Sequence, residues 1–268
     1  MAVEAPTHAL VAPEPPSRRL PVDLSVVIPA YNEESRLGRT LEATSAYLDA
    51  SGLTYEVLVV DDGSRDGTAA LVGAGASDRV RLLRLPTNQG KGAAVRAGVL
   101  ASTGAHVLFM DADGSTPIRE VAKLLTACES GAAVVVGSRR APGAEVSRPW
   151  GRRLATSVFS VVLRALLVDL VGDVRDTQCG FKLFRGDLAR ELFADARVDG
   201  YAFDVEILAL AHRRARVLEV PVEWAQCDGS KVSLARDTIR MLRDVLGIRR
   251  TLGRSRGAPR RGPVGKRG

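Results

Sequence analysis

The chain of 268 residues is 46% hydrophobic and 26% charged, enough apolar surface for one large or two small globular domains. Its net charge of +7 is uneven: residues 249–268 hold eight Lys/Arg and no acid, so the body is close to neutral and the basicity belongs to a tail. Three separated cysteines without a CxxC pair argue against a disulfide framework and for a reducing compartment, and with three scattered histidines they give a His/Cys zinc site little support.

The N-terminal MAVEAPTHALVAPEPPSRR has no apolar core, so a secretory signal is not expected, and its prolines predict a disordered lead-in over residues 1–22. Short apolar runs follow at 24–28 (LSVVI), 55–60 (YEVLVV), 80–85 (VRLLRL), 106–110 (HVLFM) and 132–136 (AAVVV). Their brevity, valine content and closing turn residues predict strands buried on both faces. Helical patterns lie between them at 33–50, 66–75, 90–102 and 117–130. The alternation predicts an α/β, doubly wound, mostly parallel sheet, with ligands outside the carboxyl ends of the strands. After Gly137 the pattern changes to a long helix over 148–171, a short DTQCGFKLF segment, and helices at 186–194 and 201–214. A strand-like LEVPVEW (218–224) and an amphipathic helix near 234–248 complete it. The apolar stretch 154–171 is broken by Arg164 and Asp169, which argues against a membrane span. Both this stretch and the helix near 234–248 carry apolar stripes that would suit the protein's own core or a membrane interface.

Polar clusters stand where the predicted strands end. FMDADGST (109–116) sets Asp111 and Asp113 two residues apart; in an extended chain such residues share a face and offer hard oxygens to Mg2+ or Mn2+. The alternative is a loop whose acids cap the next helix. Asp61 and Asp62 end the second strand, where a carboxylate can accept from a ribose or base N–H, or cap a helix. Asn88-Gln89-Gly90-Lys91-Gly92 opens a helix, and glycines, a helix N-terminus and a lysine together favour an anion, although the P-loop spacing is absent.

PAYNEE (29–34), VDDGSRDGT (60–68), NQGKGAAVRAG (88–98) and MDADGST (110–116), in this order, resemble the family 2 inverting glycosyltransferases of GT-A fold. DTQCGFKLF (176–184), YAFDVEIL (201–208) and GSKVSLARDTIRML (229–242) resemble the polyprenol-phosphate branch, the dolichyl-phosphate glucosyl- and mannosyltransferases. The resemblance covers about residues 23–248 as one GT-A domain, with a C-terminal acceptor-side half and a basic, disordered tail at 249–268. It implies a nucleotide-sugar donor, with Pro29, Tyr31, Glu33 and Asp61 on the nucleoside, Lys91 near it or its phosphates, and Asp111 beside the nucleotide. Asp111 and Asp113 would hold Mg2+ or Mn2+, with Asp113 catalytic through that metal. A polyprenyl-phosphate acceptor would be placed by Arg139, Arg140, Lys182 and Lys231, with Arg148 a further candidate. Asp176 and Asp204 are the candidate bases or organisers of the acceptor site.

The DADGST form favours UDP-glucose over GDP-mannose. A hydroxyl acceptor, with Asp204 as its base, is the rival within enzymes; outside enzymes the rival is a nucleotide- or nucleic-acid-binding protein, although no nucleic acid is expected. Many relatives of this kind carry a transmembrane anchor. None is expected here, which places the chain in the cytoplasm or peripherally on the inner face of the cell membrane, alone or with a separate membrane partner.

Overall fold

A computed structural model describes residues 22–147, 169–227, 241 and 243–251. The chain builds a seven-stranded sheet of order β3-β2-β1-β4-β7-β5-β8. Its strands are β1 (Leu24–Ala30), β2 (Tyr55–Asp61), β3 (Val80–Arg84), β4 (His106–Met110), β5 (Val134–Ser138), β7 (Phe181–Arg185) and β8 (Val217–Pro221). A parallel two-stranded ribbon pairs β6 (Val146–Ser147) with β9 (Trp224–Ala225). The helices are α1 (Leu37–Ser51), α2 (Thr68–Ala74), α3 (Lys91–Leu100), α4 (Val121–Glu129), α5 (Gly186–Asp195) and α6 (Phe203–His212).

Alternate strand residues feed two cores. Val27, Leu58 and Val60 join α3, α5 and α6 on one face; Val26, Ile28, Val57 and Val59 join α1, α2 and α4 on the other. Each fully buried Val, Leu or Phe contributes roughly 1.5–3 kcal/mol through removal from water. The sheet is therefore covered on both faces, as the runs of consecutive apolar residues in the sequence require.

The five expected strands form, with shifted ends. The sequence reading stops the first strand at Pro29, yet β1 continues to Ala30. Its pairing with β4 ends at Val27 opposite Phe109, so the N–H that proline lacks is not needed by that neighbour. The DTQCGFKLF segment supplies an element that its charges disguise. Phe181–Arg185 is β7, inserted antiparallel between β4 and β5. The predicted helix over 148–171 lies outside the described residues except for helical 169–171, and the expected lead-in lies almost entirely outside them. The last helix continues through Thr251, beyond its expected end at 248. Among the described residues no helix is long and apolar enough to cross a membrane.

Candidate active site

The carboxyl ends of β1, β2 and β4 and the start of α3 converge. The loops after β1 and β2 are stitched together: Asn32 N–H donates to Ser64 Oγ (2.8 Å), Arg65 N–H to Asn32 Oδ1 (2.8 Å) and Glu33 N–H to Thr68 Oγ1 (2.7 Å). Glu33 receives two hydrogen bonds from Arg36, at 2.8 and 2.7 Å, and Tyr31 is half-buried beside it in sequence. Asp61 is wholly buried; Oδ1 accepts from Ser64 N–H at 2.9 Å. Its Oδ2 accepts no hydrogen bond among the described residues, although Arg84 Nε stands 3.3 Å away. The Arg84 charge compensates this oxygen only in part, and a ligand N–H or O–H would supply the hydrogen bond it lacks.

Asp62 has a structural role that the sequence reading did not give it. Oδ1 accepts from Gln89 N–H (2.7 Å) and Oδ2 from Gly90 N–H (2.8 Å), while Asp199 O accepts from Gly92 N–H (2.8 Å). The amides expected to meet an anion at the start of α3 are therefore already used by the protein. Gly90 has φ +111°, and a Cβ there would overlap Asp199 O, so its close contact is with the chain itself. These bonds fix the backbone of Lys91 and leave its side chain as the cationic feature.

Lys91 Nζ lies 2.6 Å from Asp111 Oδ1 and 5.2 Å from the Phe109 ring centroid. Burial alone would lower the pKa of Lys91, but the charges of Asp111 and Asp204 outweigh it and raise it above the ordinary lysine value. Asp111 lies over Gly180, whose carbonyl accepts its N–H at 3.0 Å, and a Cβ at Gly180 would overlap the carboxylate. The argument from an extended chain fails here, because β4 ends at Met110 and residues 112–113 form a turn. Asp113 accepts from Ser115 N–H (2.9 Å) and lines a cavity of about 940 Å³ between α1 and residues 113–119. Both carboxylates remain accessible in part, and each offers the hard oxygens that a divalent cation takes together with water and phosphate; the turn sets Asp113 on a cavity whose lining does not include Asp111. No group of three or more His, Cys, Asp or Glu able to hold a metal occurs among the described residues, so such an ion would depend on those outside ligands.

The acceptor-side expectations need correction. Lys182, expected at an acceptor phosphate, is only 1% exposed. It lies within β7, donates to Cys179 O (2.6 Å) and pairs closely with Asp204. Asp204, the candidate base, is buried with it, and burial holds its carboxyl above the ordinary value against the pull of Lys182 and Lys91. Asp176, the other candidate, is 2% exposed and bound at both oxygens by Arg139, at 2.7 Å each. Removing one partner from such a buried pair leaves an uncompensated charge, at a cost of about 3–5 kcal/mol. Both acids are thus tied to a cation. Arg139 packs against Trp224, its guanidinium 5.5 Å from the ring centroid, and Glu219 accepts from the N–H groups of Arg175 (3.0 Å) and Asp176 (2.7 Å). Trp224, Glu219, Arg84 and Gly180 were missed by sequence reasoning; an acid within the otherwise apolar VLEVP strand was the one available signal. Arg140 is exposed at the end of β5, and Lys231 and Arg148 lie outside the described residues.

A strand-end cleft with two acids after β4 and an antiparallel β7 beside it has a match in known proteins. Residues 25–193 match the family model described as "Glycosyl transferase family 2". The chain belongs to that family. It is 36% identical over 249 residues to a dolichyl-phosphate beta-glucosyltransferase of Dictyostelium discoideum, covering 85% of this chain and 75% of the relative. It is 39% identical over 246 residues to the Drosophila melanogaster protein of the same name, covering 85% and 74%. Among solved structures, glucosyl-3-phosphoglycerate synthase from Mycobacterium tuberculosis, in complex with Mn2+, uridine diphosphate and glucosyl-3-phosphoglycerate, superposes with a TM-score of 0.65. The identity is 22%, over 85% of this chain and 80% of that one. The fold is GT-A, and the family 2 member described here is a glycosyltransferase.

Proposed function

We propose that this glycosyltransferase moves glucose from UDP-glucose to a dolichyl-type polyprenyl phosphate, with inversion at the sugar carbon. The names of its relatives support the glucosyl group and the lipid phosphate. The observation that carries the choice of acceptor is the state of Asp176 and Asp204. Each is almost fully buried and paired with a cation, so neither carboxylate is open to an incoming hydroxyl. A phosphomonoester needs no base, because its oxygens are already anionic near neutral pH, with a second pKa of about 6.

On this reading Asp61 Oδ2, which has the Arg84 charge nearby but accepts no hydrogen bond among the described residues, meets a donor group of the nucleoside, beside Pro29, Tyr31 and Glu33. Asp111 and Asp113 would hold Mg2+ or Mn2+, which when bound offsets charge on the departing diphosphate. Arg139, fixed by Asp176 and Trp224, aligns the acceptor phosphate, with Arg140 at the same strand end. An acceptor phosphate oxygen forms the new bond to the sugar carbon. The bond from that carbon to the diphosphate oxygen breaks, and UDP leaves with the electron pair.

The test supplies the purified chain with UDP-glucose, Mn2+ or Mg2+ and a short polyprenyl phosphate in detergent, with Asp113→Asn in parallel. The expected result is a glucosylated lipid phosphate that forms at least about a hundredfold more slowly in the variant. Transfer to free sugars or other hydroxyl acceptors in preference to the lipid phosphate would overturn the acceptor assignment, and a product only from GDP-mannose would overturn the donor.

A further inference from the structure

Lys91 and Asp111 form an ion pair at the place where a divalent cation and a diphosphate would meet. The two oxygens of Asp111 are not equally available. Oδ1 carries the Lys91 ammonium at 2.6 Å, and Oδ2 is the atom that a Cβ on Gly180 would strike first. A cation approaching Asp111 therefore finds a carboxylate seated over Gly180 with one oxygen already neutralised. The ammonium cannot withdraw by moving its backbone, because the Asp62 carboxylate and Asp199 O hold the first amides of α3. It can withdraw by rotating its side chain, which is still a quarter exposed. A second carboxylate, Asp204, acts on Lys91 from the interior, but Lys182 already occupies it.

We propose that Lys91 is a resident counter-ion that opposes metal binding at Asp111 until a diphosphate draws it away, so that Lys91 couples metal and donor. The proposal rests on the donor site described above. Before the donor arrives, a metal must displace the ammonium and leave it without a close partner. Once a diphosphate is present, the ammonium gains phosphate oxygens and Asp111 is released. Metal and nucleotide then each strengthen the other's binding by the same factor, as linkage demands. Without the nucleotide, the metal is held weakly.

The experiment measures Mn2+ binding to the full chain by the loss of the free-ion electron paramagnetic resonance signal, with and without saturating UDP. UDP binding is followed separately by calorimetry in the presence and absence of Mn2+. In the natural chain Mn2+ binds at least about tenfold more tightly with UDP, the ordinary range of a coupling between sites. Lys91→Met, which keeps the length but not the charge, binds Mn2+ alone about tenfold more tightly than the natural chain, and its coupling to UDP falls by about the same factor, what remains being the diphosphate's own ligation of the metal. Lys91→Arg, which keeps the charge, retains weak binding of Mn2+ alone. If Lys91→Met melts early, Lys91→Gln at lower temperature replaces it.

The proposal is overturned if neutral variants bind Mn2+ alone no more tightly than the natural chain, or if their coupling to UDP is unchanged. Failure of UDP to bind the natural chain under any condition sinks the donor assignment instead. The metal-only comparison between the natural chain and Lys91→Met still reports on the contest at Asp111.

Discussion

Asp176 shows how the surroundings of one carboxylate decide its job. Burial raises its pKa, but the hydrogen bonds and charge of Arg139 more than offset that and leave it below the ordinary carboxylate value. A depressed native pKa means that the pair stabilises the fold above the unfolded value of about 3.9, and that this contribution disappears as pH falls through the native one. Asp176→Asn removes the titrating group. The stability gap between the natural chain and this variant, measured by urea unfolding, should be constant from about pH 5 to 7 and shrink steadily below about pH 4. A gap that grows on acidification would mean that the carboxyl is raised, and would return Asp176 to the list of bases. Asp204 differs in sign: its burial outweighs the pull of Lys182 and Lys91 and leaves its carboxyl above the ordinary value. From sequence Lys182 and Asp204 resembled a free cation and a free acid, because a string of letters does not show that alternate positions of β7 and the first turn of α6 face each other across the core.

β7 is the element on which the site turns, and the one the sequence hid. The strands β1 to β5 were legible because valine-rich runs between helices have few other uses. FKLFR carries two cations in five residues, and its burial becomes acceptable only through Asp204 and the Cys179 carbonyl, a long-range fact. The strand also delivers Gly180, one residue before its start, beneath Asp111. Conversely, the spacing of Asp111 and Asp113 predicts a shared strand face that does not form, since a turn and not a strand carries Asp113. Gly180→Ala tests the element directly. The new Cβ must push Asp111 or β7 aside, at about 1–3 kcal/mol of overpacking. The fold should persist by circular dichroism and denaturant unfolding. Sugar transfer should fall by about a hundredfold, a penalty of the size that an ångström of misplacement can carry. Near-normal transfer with a normal melting profile would show that the position of Asp111 is not critical.

The charge of the whole chain is divided between a near-neutral catalytic body and a basic C-terminal segment, and the proposed lipid-phosphate acceptor would give that division a use. The last described residue is Thr251, and six Lys/Arg follow it in residues 252–268 without one acid. Basic residues near an anionic leaflet contribute about 1 kcal/mol each, and that attraction fades within a Debye length of about 8 Å at physiological salt. If only half of the six approach the surface, the gain is about a hundredfold in partitioning. The full chain should therefore sediment with phosphatidylglycerol-containing vesicles, less so at 0.5 M salt, and hardly with neutral phosphatidylcholine vesicles. A chain ending at Thr251 should lose about two orders of magnitude in vesicle partitioning while transferring glucose normally to a short acceptor in detergent. Equal partitioning of the two chains would assign membrane contact, if any, to an apolar face of the body. A truncated chain that fails in detergent would mean that the segment serves the active site and not the surface, since no lipid field remains there for it to answer.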